Sequence, residues 1–210
     1  MIIPTNSFEL KLYKKGIRVI AGIDEVGRGS IAGPLVVGAV IFPRKIKKNR
    51  LIRDSKQLRE HQREQAFLII KEQALAIGIG MVSNKFIDSN GIISALKTAF
   101  LKAILNLSIK PDYLLIDGLI GPEIHIPTIF IVKGDQKSLS IAAASIVAKV
   151  TRDRLMRRMG KKYTAYAFER NKGYGTKEHF KGIYQGGVSK FHRLSFLRNY
   201  QENVEKVWKN

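Results

Sequence analysis

The chain has 210 residues, 45% of them hydrophobic, with 37 lysines and arginines against 17 aspartates and glutamates. This length and apolar content suit one well-packed domain, and the formal net charge of +20 favours a polyanionic partner such as nucleic acid. There is no cysteine, which excludes disulfides, thiolate nucleophiles and cysteine-based zinc sites. No apolar run is long enough to span a membrane and no secretion signal is visible, so we expect a cytoplasmic protein without a membrane partner.

Residues 17–42 carry the clearest pattern and predict a strand, a glycine-rich loop and a second strand. The first apolar run leads to Asp24 and Glu25, and the loop that follows contains Gly27-Arg28-Gly29. Glycines in that loop would let another backbone approach closely. An acidic pair at a strand end is often only a solvated turn, so its meaning depends on whether other acids recur in the same setting.

The rest of the chain alternates predicted helices and strands. Gly78 and Gly80 do not make a dinucleotide-binding loop, because Ser83 replaces the third glycine and no helical pattern follows it directly. The predicted elements are a short leader before Lys15 that packs on the main body, a basic loop over residues 44–50, a helix over 57–75 begun by Asp54 or Ser55, a strand over 77–83, a helix from Asn90 or Gly91 to Leu107, strands over 113–118 and 128–132, and helices over 139–159, 177–184 and from His192 onward.

Acids recur at the ends of the later strands. Asp117 closes one apolar strand and Asp135 follows another, as Asp24 and Glu25 follow the first. Since sheet order can bring strand ends together, the four carboxylates are expected to form an oxygen-ligand cluster for a hard divalent cation such as Mg²⁺ or Mn²⁺. Four carboxylates are enough for two ions, which can activate a water and stabilise the leaving oxygen of a phosphodiester. We expect the histidines to be structural or exposed.

A second signal is a basic stretch between Lys149 and Lys172, which contains nine basic residues and only two acidic ones. Lys149 and Arg152 in this stretch are candidates for substrate binding. Aromatic rings interleave with the cations, and most of them are expected to be packed in the core. Tyr174 differs, because glycines flank it on both sides. We expect its ring to be exposed, where it could lie against a sugar or a base.

Several motifs, in the right order over most of the chain, resemble the signature of the ribonuclease HII family, the type 2 ribonucleases H. They are GIDEVGRG (residues 22–29), AGP (32–34), DSKQL (54–58), LIDG (115–118), KGD (133–135), SIAAASIVAKVTRD (140–153), GYGT (173–176) and HRLSF (192–196). The sister family, ribonuclease HIII, usually carries an N-terminal extension and a glutamate as its fourth acid. Asp135 therefore favours HII. Ser30-Ile31 and Gly91-Ile92 depart from the family pattern without touching an acid.

The resemblance implies an RNase H-like α/β fold, a mixed β-sheet flanked by helices, as one catalytic domain over residues 1–210 with a small C-terminal helical segment over about residues 176–210. It implies metal-dependent cleavage of the RNA strand of RNA/DNA hybrids. It also implies nicking on the 5′ side of single ribonucleotides in duplex DNA, leaving 3′-hydroxyl and 5′-phosphate ends, as in ribonucleotide excision during DNA replication and repair.

By the same resemblance, Asp24, Glu25, Asp117 and Asp135 are the catalytic and metal-binding carboxylates, with two Mn²⁺ or Mg²⁺ ions acting in catalysis. The Gly27-Arg28-Gly29 loop and Tyr174 would contact the 2′-hydroxyl that separates RNA from DNA. We expect a monomer. A contact with a sliding-clamp protein is possible for the family, but no recruitment motif is visible in this sequence.

The competing hypothesis is a non-catalytic nucleic-acid-binding protein, in which the basic patches supply the affinity and the acids only cap strands or pair with arginines. Net charge alone would favour it. It does not explain why four acids recur in matched positions at strand ends, so the sequence favours the nuclease.

Overall fold

A computed structural model of the protein describes residues 3–47 and 49–197. Its centre is a five-stranded sheet in the order β3-β2-β1-β4-β5. Strands β1, β4 and β5 are parallel, whereas β2 and β3 run antiparallel to their neighbours. The carboxyl ends of the three parallel strands therefore lie at one edge of the sheet. The strands are β1 (Ile20–Val26), β2 (Leu35–Ile41), β3 (Ala76–Val82), β4 (Tyr113–Asp117) and β5 (Thr128–Ile131).

Helices cover both faces of the sheet. They are α1 (Ser7–Lys14), α2 (Glu60–Gln73), α3 (Asn84–Leu105), α4 (Leu139–Lys162), α5 (Phe168–Asn171) and α6 (Lys177–Gly186). Among the described residues, none of these helices is long and apolar enough to cross a membrane. The predicted mixed sheet flanked by helices is confirmed.

Helix α4 packs closely against one face of the sheet. Ser138 begins this helix by accepting a hydrogen bond from the amide of Ile141 at 3.3 Å. Its alanine-rich face then lies so close to β2 that a Cβ added at Gly38 would be 2.4 Å from the carbonyl oxygen of Ala144. The other face of the sheet is covered by α3. Each large apolar side chain buried between these layers, such as Ile146, stabilises the fold by about 1.5–3 kcal/mol.

The leader forms helix α1, which fastens the start of α4. Its Glu9 is buried and accepts hydrogen bonds from the hydroxyls of Ser138 at 2.7 Å and Ser140 at 2.6 Å. Leu12 on the same helix packs into the core. This contact holds the segment that also carries Asp135, three residues before Ser138.

Two predicted helices differ from the structure. The helix predicted over residues 57–75 is a 3-10 turn, Ser55–Gln57, followed by α2 from Glu60, because Asp54 caps the short turn instead of the long helix. The helix predicted from Asn90 begins at Asn84, directly after Ser83, whose hydroxyl accepts from the amide of Phe86 at 3.2 Å. A helix therefore does follow Ser83 directly, and the expectation that no helical pattern follows it was wrong. Gly91, at φ 77°, interrupts α3 and breaks the apolar spacing there.

The last helix predicted from His192 lies mostly outside the described residues. Within them, Leu194–Phe196 form a 3-10 turn. The backbone amides of Leu194 and Ser195 donate to the carboxylate of Asp88 on α3 at 3.0 and 2.9 Å. The C-terminal part of the described chain is thus attached to α3.

Candidate active site

The parallel strands carry acids to one edge of the sheet. Asp24 and Glu25 lie within the last three residues of β1, at the strand end where the sequence placed them, and Asp117 is the last residue of β4. Asp135 sits in a 3-10 turn, Gly134–Gln136, that follows β5. The carboxylate of Asp117 accepts a hydrogen bond from the amide of Gly134 at 2.6 Å. This bond fastens the turn that holds Asp135 to the neighbouring strand end.

Burial and mutual repulsion make this edge costly for negative charge. Asp24 and Asp135 are only 5% and 4% exposed. Burial, followed by repulsion from Glu25 and Asp117, raises the pKa of Asp24 well above its usual range. Burial and Asp117 also raise the pKa of Glu25. The pKa of Asp135 rises to about 6 through burial and the charges of Asp54 and Asp117. The site therefore favours an added positive charge.

The four carboxylates interact electrostatically without yet forming a metal cage. Within residues 3–47 and 49–197, no three acidic, histidine or cysteine side chains are placed so that they could hold one metal ion together. The chemistry of the donor set nevertheless fits a hard divalent cation, which prefers carboxylate oxygens. Small movements of the side chains would have to bring Asp24, Asp117 and Asp135 around an ion.

The turn that begins at Asp54 brings a cation to the same edge. Asp54 is buried and accepts hydrogen bonds from the amide of Lys56 at 2.9 Å and from the side chain of Gln136 at 3.2 Å. Burial lowers the pKa of Lys56, but the nearby carboxylates, Asp135 first, outweigh it and raise that pKa. Sequence reasoning quoted Lys56 only as part of a motif and missed this position beside the acids.

Residues of α4 and of the turn at Asp54 lie beside Asp24. Its carboxylate accepts a hydrogen bond from the amide of Glu25 at 2.7 Å. The Ser145 side chain partly offsets the rise in the pKa of Asp24, and its hydroxyl lies 3.0 Å from that of Ser55. Asp24, Ser145 and Ser55 are all buried. The contact between Ser145 and Ser55 joins α4 to the turn at Asp54, next to the carboxylate of Asp24.

The glycine loop after β1 rests on a buried arginine. Arg152 of α4 is 0% exposed. Its guanidinium donates to the carbonyls of Pro34 at 2.9 Å, Lys172 at 2.7 Å and Ala32 at 3.0 Å. A Cβ added at Gly27 would be only 2.3 Å from its Nε atom. Arg152 is therefore placed to hold the loop, with no surface of its own to offer a ligand.

Two other arginines near the glycine loop, Arg193 and Arg28, differ in solvent exposure. Arg193 is buried and donates to the carbonyls of Gly33 and Arg28, both at 3.1 Å. Burial, followed by repulsion from Arg152, lowers the pKa of Arg193 to about 9. Arg28 is exposed at the tip of the loop. Sequence reasoning did not single out Arg193, since only the fold shows that its side chain reaches the glycine loop.

The structure brings the glycine loop and Tyr174 together. The amides of Ile31 and Ala32 both donate to the carbonyl of Gly173, at 2.9 and 3.1 Å. Tyr174 is 37% exposed, and the guanidinium of Arg152 lies 5.5 Å from the centre of its ring. The segment that carries Tyr174 is thus hydrogen-bonded directly to the end of the glycine loop.

Lys149, the aromatic rings of the basic stretch and the histidines all lie outside the group of four carboxylates. Lys149 pairs with Asp153 at 2.8 Å. Tyr166 and Phe168 are buried, as expected for most rings of the basic stretch. His61 and His125 are exposed, whereas His179 and His192 are both buried.

Comparisons with known proteins place the chain in a family. The ribonuclease HII family model matches residues 21–199. The ribonuclease HII of Acetivibrio thermocellus is 50% identical over 193 residues, which cover 92% of this chain and 75% of that protein. The crystal structure of ribonuclease H2 from Pyrococcus horikoshii is similar with a TM-score of 0.74 at 29% identity, over 91% of this chain and 100% of that one.

A second solved structure, the PCNA:RNase HII complex from Archaeoglobus fulgidus, is similar with a TM-score of 0.68 at 28% identity. The likeness covers 84% of this chain and 94% of that one. Sequence family and fold agree. The chain therefore belongs to the ribonuclease HII family, whose members are endonucleases with ribonuclease H activity on RNA/DNA hybrids.

Proposed function

We propose that this protein cleaves the RNA strand of RNA/DNA hybrids and also nicks on the 5′ side of single ribonucleotides in duplex DNA, leaving 3′-hydroxyl and 5′-phosphate ends. The observation that carries the proposal is the group of strand-end carboxylates with raised pKa values, beside a cationic loop and an exposed tyrosine. A polyanion that also brings cations to the acids would relieve the repulsion. Nucleic acid is the proposed partner, which agrees with the net charge of +20.

Asp24, Glu25, Asp117 and Asp135 would hold two divalent cations, Mg²⁺ or Mn²⁺. Bound there, the cations would supply an ionised water at neutral pH and charge stabilisation at the leaving oxygen. The protein's own part is to orient the carboxylates: the Gly134 amide donates to Asp117, and the Glu25 amide donates to Asp24. Lys56 would help neutralise the scissile phosphate, since its ammonium already lies within the field of Asp24 and Asp135.

The glycine loop and Tyr174 would select the ribonucleotide. The backbone at Gly29 has open space around it, since a Cβ built there meets nothing within 4 Å. A nucleic-acid backbone could therefore approach the loop and offer the 2′-hydroxyl to its peptide groups. The exposed ring of Tyr174 would lie against the adjoining sugar. Arg28 would contact a phosphate, whereas Arg152 would act from below by holding the loop.

The test is cleavage of a labelled DNA duplex that contains one ribonucleotide, beside an all-DNA duplex and a long RNA/DNA hybrid, each with Mg²⁺ or Mn²⁺. We expect one nick on the 5′ side of the ribonucleotide, a 3′-hydroxyl end and no cleavage of all-DNA. Asp24→Asn should abolish the nick. Glu123→Gln is the matched control, because Glu123 is an exposed carboxylate paired with Lys97 away from the acids.

Each alternative gives a different result. Cleavage of the long hybrid alone would contradict the single-ribonucleotide specificity. Salt-sensitive binding of every duplex without cleavage under either metal would favour the non-catalytic binding protein. Equal activity of Asp24→Asn and Glu123→Gln would contradict the assignment of the carboxylates.

A further inference from the structure

Two buried histidines face each other beneath the segment that carries Tyr174. His179 and His192 are 0% and 1% exposed, and their Nε2 atoms lie 3.0 Å apart. His179 belongs to the first turn of α6, whereas His192 lies in the loop after that helix. The Nδ1 atom of His179 lies 2.9 Å from the carbonyl oxygen of Tyr174. Neither ring reaches the carboxylate site, so both are available for a separate role.

The surrounding donors fix the protonation of each ring. The backbone amide of Ser189 lies 2.8 Å from Nδ1 of His192 and can only donate, so this nitrogen is the acceptor. A neutral His192 then carries its hydrogen on Nε2 and donates it to Nε2 of His179. His179 must therefore carry its own hydrogen on Nδ1, which donates to the Tyr174 carbonyl. The result is a hydrogen-bond chain with one direction, from Ser189 to Tyr174.

The surroundings keep both rings neutral. The ring centres of Phe168 and His179 are 5.2 Å apart, and those of Tyr166 and His192 are 4.9 Å apart. Burial lowers the pKa of His179, and burial together with His179 lowers the pKa of His192 to about 4. A second hydrogen between the Nε2 atoms would set two N–H groups against each other at 3.0 Å. The chain of bonds is therefore stable only in its neutral form.

This chain of bonds links the segments that meet at the proposed ribonucleotide site. Ala32, at the end of the glycine loop, forms an antiparallel bridge with His192 on one side. On the other side, its amide donates to Gly173. The histidine pair spans the same two flanking segments below the loop, from His192 to the Tyr174 carbonyl. That carbonyl also accepts from the amide of Thr176 at 2.8 Å.

We propose that His179 and His192 are positioning residues, which fix the backbone of Tyr174 through a directed hydrogen-bond chain and so hold its ring for ribonucleotide recognition. The flanking glycines add no side-chain restraint, and the Tyr174 amide is held separately by the carbonyl of Asn171 at 3.0 Å. The Tyr174 carbonyl is held from below by His179, while the ring stays exposed above. The role of the ring at the substrate rests on the proposed function, whereas the fixing of the backbone does not.

The test compares two substitutions of His179 that each preserve one half of its bonding. In His179→Asn the side-chain amide takes the place of Nδ1–H and can still donate to the Tyr174 carbonyl, but it no longer reaches His192. In His179→Gln the longer side chain can still accept from His192, but its donor to the Tyr174 carbonyl is lost. Both remove the buried ring, so a purely structural role predicts similar results for the two variants.

The first readout is hydrogen–deuterium exchange at the amides of residues 173–176, measured without substrate. We expect protection close to wild type in His179→Asn and clearly reduced protection in His179→Gln. The second readout is kcat/KM for nicking at a single ribonucleotide, which should fall on the order of tenfold more in the Gln variant. That difference should vanish when each His179 substitution is made separately in a Tyr174→Ala background.

The outcomes separate the two proposals. Equal exchange in the Asn and Gln variants would overturn the positioning role, whatever the activity. Different exchange together with wild-type kinetics of Tyr174→Ala would leave the positioning intact and contradict the substrate role of the ring. A kinetic difference that persists without the Tyr174 ring would show that His179 acts by another route and would also overturn the proposal.

Discussion

Replacing Gly27 with alanine tests the link between the glycine loop and the buried arginine beneath it. Gly27 has φ +89°, a conformation that residues with a side chain rarely adopt, and its added Cβ would lie 2.3 Å from Nε of Arg152. Arg152 cannot turn aside easily, because it is 0% exposed and donates to three backbone carbonyls. The alanine therefore forces either the loop or the arginine out of place.

The expected cost has two parts. Adopting a left-handed backbone costs an alanine about 1–2 kcal/mol. Overfilling a packed site costs about 1–3 kcal/mol more. We therefore expect Gly27→Ala to lower the free energy of unfolding by about 2–5 kcal/mol. For a protein of this length, each kcal/mol lowers Tm by about 2–4 °C.

Gly29→Ala is the matched control in the same loop. A Cβ at Gly29 meets nothing within 4 Å and its φ is not in the left-handed range, so this variant should unfold within about 0.5 kcal/mol of wild type. Equilibrium urea unfolding measures both variants. Nicking at a single ribonucleotide should be strongly reduced by Gly27→Ala. Equal stability of Gly27→Ala and Gly29→Ala would refute the reasoning about Arg152.

Three further predictions follow from the buried charges. Arg152→Lys should lower the free energy of unfolding by about 2–4 kcal/mol, because one ammonium cannot replace a guanidinium bonded to three carbonyls; urea unfolding that matches wild type would contradict this. The pKa of His192 in the folded protein is about 4, below its usual 6.5. The free energy of unfolding of the wild type should therefore fall by about 2–3 kcal/mol as the pH falls from about 6.5 to 4. His192→Gln should not show this decrease. The pKa of Asp135 in the folded protein is about 6, above its usual 3.8. The free energy of unfolding of the metal-free protein should therefore fall by about 1–3 kcal/mol as the pH rises from about 4 to 6, and the lower figure allows for solvent screening. Asp135→Asn should remove this pH dependence, as measured by thermal unfolding.

The sequence predicted those parts of the protein that follow from local pattern. Apolar runs ending in Asp117 and before Asp135 indicated strands that meet at one edge, and the sheet confirms that arrangement. The helix predicted over 139–159 is confirmed as the core of α4, and its small residues, such as Ala144, allow the close approach seen at Gly38. Glycines around Tyr174 predicted its exposed ring.

Other features depend on contacts between distant parts of the chain. Nothing local shows that Arg152 and Arg193 are buried under the glycine loop, since arginines in a basic stretch are usually exposed. His179 and His192 read as ordinary polar residues until the fold sets their rings 3.0 Å apart. The start of α3 was missed because Gly91 interrupts the apolar spacing between the first turns and the rest of the helix. The assignment of site roles to the carboxylates stays a prediction.

The measurement that tests the central claim most directly is calorimetric titration of Mn²⁺ into the protein without substrate, at neutral pH. The charges of Asp117 and Asp135 raise the pKa of Asp24, although the three carboxylates do not surround a common metal position. Because a bound cation would relieve this repulsion, we expect saturable Mn²⁺ binding. Asp24→Asn and Asp135→Asn should each weaken it at least tenfold. Glu123→Gln should bind as wild type does. Unchanged Mn²⁺ affinity in both aspartate variants would contradict the claim that these acids form the metal site.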